Sequence, residues 1–180
     1  MNAWVALLRG INVGGNNLLP MKALQAELEA LGAIQVKTYI QSGNVVFQHE
    51  MENGAPLAEQ LTSAIQSRFG FAPRVLLLPQ QPFLQALVNN PFPAAEAEPK
   101  TLHLWFLAEP AAAPNLERLR ELQKESEAWH LTDSVFYLHA PEGIGRSKLA
   151  ENVEKCLGVP ATARNWRTAT KIRELLLAMV

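Results

Sequence analysis

The segment Arg9-Gly10-Ile11-Asn12-Val13-Gly14-Gly15-Asn16-Asn17 gathers three glycines, three asparagines and one arginine behind a short apolar run. Glycine lacks a Cβ and reaches positive φ at no steric cost, so successive backbone N–H groups can converge on an anion, with Arg9 as a forked cationic donor beside them. The chemistry that suits this pattern is capture of a phosphate or carboxylate, with Arg9, Gly10, Asn12, Gly14, Gly15 and Asn16 as candidate contacts. Gly10 and Gly15 have the spacing of the outer glycines of a P-loop, but Asn16 and Asn17 stand where that loop needs lysine and a hydroxyl. Nucleotide hydrolysis of the P-loop kind is therefore not expected. The alternative reading is a long turn whose asparagines satisfy their own backbone.

Two further polar groups have related chemistry. Gln41-Ser42-Gly43-Asn44 offers Ser42 and Asn44 as candidate contacts, and its residue types equally suit a plain hairpin turn. The third group is split in two. Gly143-Ile144-Gly145-Arg146-Ser147-Lys148 places Arg146 and Lys148 around Ser147, which can cap the helix that follows and leave its N-terminal N–H groups facing an anion. Thr162-Ala163-Arg164-Asn165-Trp166-Arg167-Thr168 packs Arg164, Asn165, Trp166 and Arg167 together, a set that could clamp phosphate and stack a base or sugar on the indole. The alternative is that Trp166 anchors the last helix and the arginines are solvated. Acid/base equipment is sparse: His49, His103, His130 and His139 lie on or next to predicted strands, away from the three groups, and Asp133 is the only aspartate. No catalytic residue is assigned, no metal set or cofactor is expected, and whether a reaction follows binding is left open.

The elements that carry these groups read as two related halves, residues 1–79 and 80–180, expected to pack as one compact unit. Ala3 to Arg9 reads as a strand, Pro20 to Leu31 as a helix stopped by Gly32, and Val36 to Ile40 with Val45 to Gln48 as a hairpin. Leu57 to Phe69 is a second helix and Arg74 to Leu78 a last strand, which gives the ferredoxin-like βαββαβ order. Alternating chain direction puts the glycine-rich loop and the Ser42 turn at the same end of the sheet. After a helical stretch near Pro82 to Asn89, the pattern resumes with strand Thr101 to Leu107, helix Asn115 to Lys124, hairpin strands Ala128 to Leu131 and Val135 to Ala140, and helix Ser147 to Leu157. A closing helix, Ala169 to Met179, stands where a fourth strand would complete the pattern, so the second half reads as a related βαββα with an extra C-terminal helix, and the fold class as α+β.

Composition sets the outer bounds. The 180 residues are 48% apolar, enough for a proper core, and no apolar run reaches the eighteen or so residues of a membrane helix. The start Met1-Asn2-Ala3-Trp4 lacks a signal peptide's basic region, so the expected compartment is the cytoplasm, with no membrane partner. Cys156 is the sole cysteine and falls on the apolar stripe of Leu149, Val153 and Leu157, which reads as core. Net charge is −1, yet residues 143–180 hold seven Lys and Arg against three Glu, a net of +4 that leaves −5 on the rest. A basic C-terminal surface attracts anionic ligands or nucleic acid.

Four stretches together carry a resemblance: Leu7 to Asn16, Thr38 to Phe47, Gly143 to Lys148 and Thr162 to Thr168. On these the chain resembles the bacterial family called domain of unknown function 1697, over nearly its whole length. The resemblance implies a compact cytoplasmic α+β protein of this size and carries over no activity, substrate or catalytic residue. The reading from the residues is thus binding of an anionic or phosphorylated small molecule or nucleotide in a composite site, with or without turnover. The alternatives are a nucleic-acid-binding module, against which the first half lacks an aromatic RNA-recognition strand motif, and a structural or protein-interaction domain. The oligomeric state stays open.

Overall fold

A computed structural model describes residues 1–179. Two four-stranded antiparallel sheets form, and each follows the same connection pattern. The first contains β1 (Asn2–Arg9), β2 (Ile34–Tyr39), β3 (Asn44–His49) and β4 (Arg74–Pro79), in the order β2-β3-β1-β4, with helices α1 (Met21–Ala30) and α2 (Ala55–Phe69) between them in sequence. The second contains β5 (Leu102–Leu107), β6 (Ala128–Leu131), β7 (Val135–His139) and β8 (Ala161–Asn165), in the order β6-β7-β5-β8, with α4 (Leu116–Leu122) and α5 (Lys148–Leu157). Helix α3 (Gln80–Val88) follows β4, and α6 (Trp166–Leu177) follows β8. Residues 1–85 with the chain from Lys171 onward make up one compact unit, and 86–170 the other.

The second half therefore departs from the βαββα expectation: it is a complete βαββαβ, because β8 supplies a fourth strand. Ala161-Thr162-Ala163-Arg164-Asn165 has one β-branched residue in five and no alternation of its own. Its strand state comes from pairing, with Leu107 opposite Ala161, Phe106 opposite Thr162 and Leu104 opposite Arg164. Helix α6 then starts at Trp166, three residues earlier than apolar spacing suggests, because the Asn165 side chain accepts from the Thr168 N–H at 2.9 Å. An asparagine in that position satisfies a donor the first helical turn would otherwise leave bare.

Each sheet buries one face under its own two helices. In the first unit Trp4, Ala6, Leu8, Val45 and Phe47 meet Leu24, Leu28, Leu57, Leu61 and Ile65. In the second, Trp105, Leu107, Phe136 and Leu138 meet Leu119 of α4 and Leu149, Val153, Cys156 and Leu157 of α5. Each large apolar side chain buried this way contributes about 1.5–3 kcal/mol. Cys156 thus sits in the core, as its place on the α5 stripe suggested. The opposite faces are buried too: Val5, Leu7 and Val46 are inaccessible, as are Leu102 and Leu104. Among the described residues no helix is long and apolar enough to cross a membrane.

Candidate functional site

The glycine-rich loop is a small braced hairpin. Gly14 (φ 56°) and Gly15 (φ 77°) are both left-handed, the dihedrals of a two-residue type I′ turn. Val13 N–H donates to Asn16 O at 3.2 Å and Asn16 N–H returns to Val13 O at 2.9 Å. Two left-handed residues in succession close a turn; converging N–H groups need alternating hands. Asn12, itself at φ 52°, staples the loop: its Nδ2 donates to Leu19 O (2.9 Å) and Gln41 O (2.7 Å), and its Oδ1 accepts from Leu19 N–H (2.7 Å). The bond to Gln41 joins the loop to the turn after β2, so the shared end expected from strand direction is what the structure shows.

That turn is engaged in the same way. Asn44 is buried and donates to Tyr39 O (3.1 Å) and to Ser42 Oγ (2.9 Å), while Gly43 O accepts from Leu8 N–H at 2.8 Å. Asn12, Ser42 and Asn44 therefore brace the loop and the turn, and the exposed candidates of the first two groups are Arg9, Gly10, Gly14, Gly15, Asn16 and Ser42. Asn12→Ala removes three hydrogen bonds and strains a left-handed position, and we expect a loss of about 2 kcal/mol in urea unfolding. Asn12→Gly, which keeps the backbone conformation, should recover part of that loss. Equal stability of wild type and Asn12→Ala would show that the staple does not hold the loop.

In the second unit the split basic motif comes to one end of one sheet. Leu102 pairs with His139, Ala128 with His139, and His103 with Asn165, so β5 and β6 begin where β7 and β8 finish. The 140–147 loop and the start of α6 both leave from this end. Ser147 is fully buried: its Oγ accepts from Ala150 N–H (3.0 Å), capping α5 as expected, and donates to Glu127 Oε2 at 2.6 Å. Glu127, 4% exposed, also accepts from Lys124 N–H at 2.9 Å. A carboxylate of the protein itself thus stands by the first turn of α5, where the helix dipole favours negative charge. Arg146 and Lys148 on either side of Ser147 are exposed.

The Arg164 to Arg167 cluster divides. Trp166 is 4% exposed, so its indole is part of the packing and presents no open face for a base. Asn165 is the α6 cap. Arg164 lies half-buried in β8, on the sheet face away from α4 and α5, and donates to Ala163 O at 2.8 Å. Burial lowers its guanidinium from 12.5 to about 10, which still leaves it cationic at neutral pH. Arg167, exposed on the first turn of α6, lines a cavity of about 420 Å³ with Glu98, Pro99, Lys100 and Thr101. Two cationic residues and one acidic residue thus border it, around a wall that is mostly apolar. The cavity floor is fixed, since Thr101 donates to Glu98 O through both its N–H (2.9 Å) and its hydroxyl (2.7 Å).

Lys100, Thr101 and Glu98 are functional candidates that sequence reasoning passes over. They sit in a turn-rich stretch with no motif of their own, and only β8, by carrying the chain back to the start of β5, brings Arg167 to them. Two of the four histidines carry structural duties: His49 contacts Leu31 O through Nε2 (3.0 Å) and accepts Met51 N–H at Nδ1 (3.0 Å), and His103 is buried in β5.

Fold and site together define an α+β protein of two ferredoxin-like units, the second of which has a small cavity bordered by Lys100 and Arg167 at one end of its sheet. The chain belongs to the family described as Protein of unknown function (DUF1697), whose model matches residues 1–137. The match takes in the glycine-rich loop and the Ser42 turn; the basic motifs at 143–148 and 162–168 lie beyond it, so it covers less of the chain than the resemblance implied. Among solved structures the chain is similar to the conserved bacterial protein SP0830 from Streptococcus pneumoniae, with 26% identity, a TM-score of 0.67, and coverage of 97% of this chain and 98% of that one. No curated protein matches it.

Proposed function

We propose that the protein binds a small anionic molecule, phosphate-bearing in the first instance, at the end of its second sheet, with Lys100 and Arg167 as the groups that hold it. The observation that supports this reading is the 420 Å³ cavity bordered by both Lys100 and Arg167, a size within the usual range of small-molecule pockets. Arginine presents a planar fork that suits two phosphate oxygens, and lysine adds a mobile point charge. Glu98 leaves the wall with a net charge of about +1, so it favours a ligand that also offers a hydroxyl or amine to that carboxylate. A cytoplasmic setting fits this reading, since the single cysteine is buried and needs no oxidising compartment. The nucleic-acid alternative gains no support, because the central strands β1 and β5 are buried on both faces and Trp166 is covered.

A thermal-shift screen of sugar phosphates, nucleotides and acyl phosphates tests the proposal, since a ligand at a hundred times its Kd adds about 2.7 kcal/mol of stability. Lys100→Ala and Arg167→Ala should each fold normally, both side chains being exposed, and weaken binding at least about tenfold. Arg146→Ala, outside the cavity wall, should bind as wild type does. A screen with no hit, or a double Lys100→Ala/Arg167→Ala variant that binds unchanged, would overturn the reading.

A further inference from the structure

Beside that cavity lies a second one, of about 550 Å³, lined by Pro91, Phe92, Pro93, His139 and Pro141 among others, and Glu98 belongs to the walls of both. The two adjoin at that residue, and their linings differ in residue type. The first is bordered by Lys100 and Arg167 over a largely apolar wall; the second is made of an aromatic ring, an imidazole and prolines.

The second cavity is built from braced backbone. Asn90 folds back on its own turn, its Oδ1 accepting from Phe92 N–H (3.0 Å) and its Nδ2 donating to Phe92 O (3.2 Å) and to Glu96 Oε2 (2.9 Å). The 3-10 turn Pro93–Ala97 then leads to Glu98, whose N–H donates to Ala95 O at 3.0 Å. On the other side His139 ends β7 opposite Leu102, and the next residue, Ala140, donates to Thr101 O at 2.8 Å. The Phe92 and His139 rings stand with centroids 6.2 Å apart at 35°. Pre-set rings of this kind stack flat groups at little conformational cost, and the bond between Ala140 and Thr101 holds the two cavities at a fixed spacing.

Resting on the anion-binding reading above, we infer that the ligand is of the nucleoside monophosphate class: a phosphate on Lys100 and Arg167, a hydroxyl-bearing sugar over Glu98, and a planar base against Phe92 and His139. The order of chemistry along the groove, cation, then hydrogen-bond acceptor, then aromatic and proline surface, matches the order of parts in such a molecule. A simple inorganic anion or a sugar phosphate would leave the larger cavity unused.

Isothermal titration of the full-length protein with ribose 5-phosphate and with AMP separates this inference from the reading beneath it. The expected result is that both bind and that AMP binds about tenfold more tightly, the increment that one stacked base supplies. Phe92→Ala should abolish the difference by weakening AMP alone, and Glu98→Gln should weaken both. Arg167→Ala should weaken both as well, by the loss of the phosphate contact. Equal affinity of ribose 5-phosphate and AMP for wild type, or a preference for AMP that survives in Phe92→Ala, overturns the nucleotide inference and leaves anion binding standing. If neither compound binds, both readings are overturned.

Discussion

Gly43→Ala is expected to unfold at markedly lower urea than wild type, with a loss of about 3 kcal/mol. Two costs combine. Gly43 has φ 86°, a left-handed conformation that costs an L side chain about 1–2 kcal/mol. Its position is also closed sterically: an added Cβ would stand 2.6 Å from Leu8 Cβ, closer than real Cβ atoms come, and a tight 3.0 Å from Ile11 Cδ1. Both neighbours are buried, so neither can swing clear, and forcing a methyl into packed core costs about 1–3 kcal/mol. The strain falls where Gly43 O accepts from Leu8 N–H, the bond that ties the hairpin turn to the end of β1. Gly14→Ala is the control. It is also left-handed, at φ 56°, but nothing lies within 4 Å of the added carbon, so only the conformational cost of about 1 kcal/mol remains. Similar losses in the two variants would show that close packing at Gly43 is not what fixes the turn.

His103 gives the protein a loss of stability in acid. Burial in β5 lowers its imidazole from 6.5 to about 4, because a charged ring cannot be hydrated there, and the nearby Thr101 carbonyl opposes this only in part. Its Nδ1 has no hydrogen-bond partner in the fold, and its cross-strand neighbours are Leu138 and Asn165. The folded ring stays neutral until about pH 4, whereas in the unfolded chain it takes up a proton near 6.5. Between those values the unfolded state holds more protons, so stability falls as pH drops through the window and is unaffected by this group above it. The full difference is worth about 3 kcal/mol, reached near pH 4. His103→Phe keeps a ring beside Trp105 and removes the titration. Carboxylates contribute to acid sensitivity in both proteins, so the quantity to follow is the stability of wild type minus that of the variant. It should decline by about 3 kcal/mol from pH 7 to pH 4; a constant difference would show that His103 does not titrate in this way.

Much of the first unit was legible because its signals are local. The continuous apolar run Ala3 to Leu8, the helical spacing of Leu57, Leu61 and Ile65, and Gly70 at φ 81° each mark an element without outside help. From that order alone the loop after β1 and the turn after β2 had to share an end, and the Asn12 bond to Gln41 shows that they do. The limit came where one residue type serves two purposes. Asparagines that could meet a ligand are also asparagines that brace a turn or cap a helix, and Asn12, Asn44 and Asn165 each make such backbone bonds.

The second unit was less legible for a different reason. Strand β8 owes its existence to β5, and nothing in Ala161 to Asn165 alternates, so its residues read as a ligand cluster. Asn165 three residues before Thr168 is a helix-start signal that would have placed α6 correctly and shown Trp166 as its first, buried residue. Nor does the sequence reveal that Glu127 supplies the negative charge at the start of α5, since twenty residues separate it from Ser147. Lys100 and Arg167 are separated by a whole sheet's worth of chain, and spacing rules have no reach across such a distance.

The central claim, that an anion is held by Lys100 and Arg167, is tested most directly by a two-dimensional amide NMR titration with ribose 5-phosphate. Saturable shifts are expected at the amides of Lys100, Thr101 and Arg167, and they should vanish in the Lys100→Ala/Arg167→Ala double variant. Shifts confined to the Arg9 to Asn16 loop, or no saturable shift anywhere, would contradict the claim.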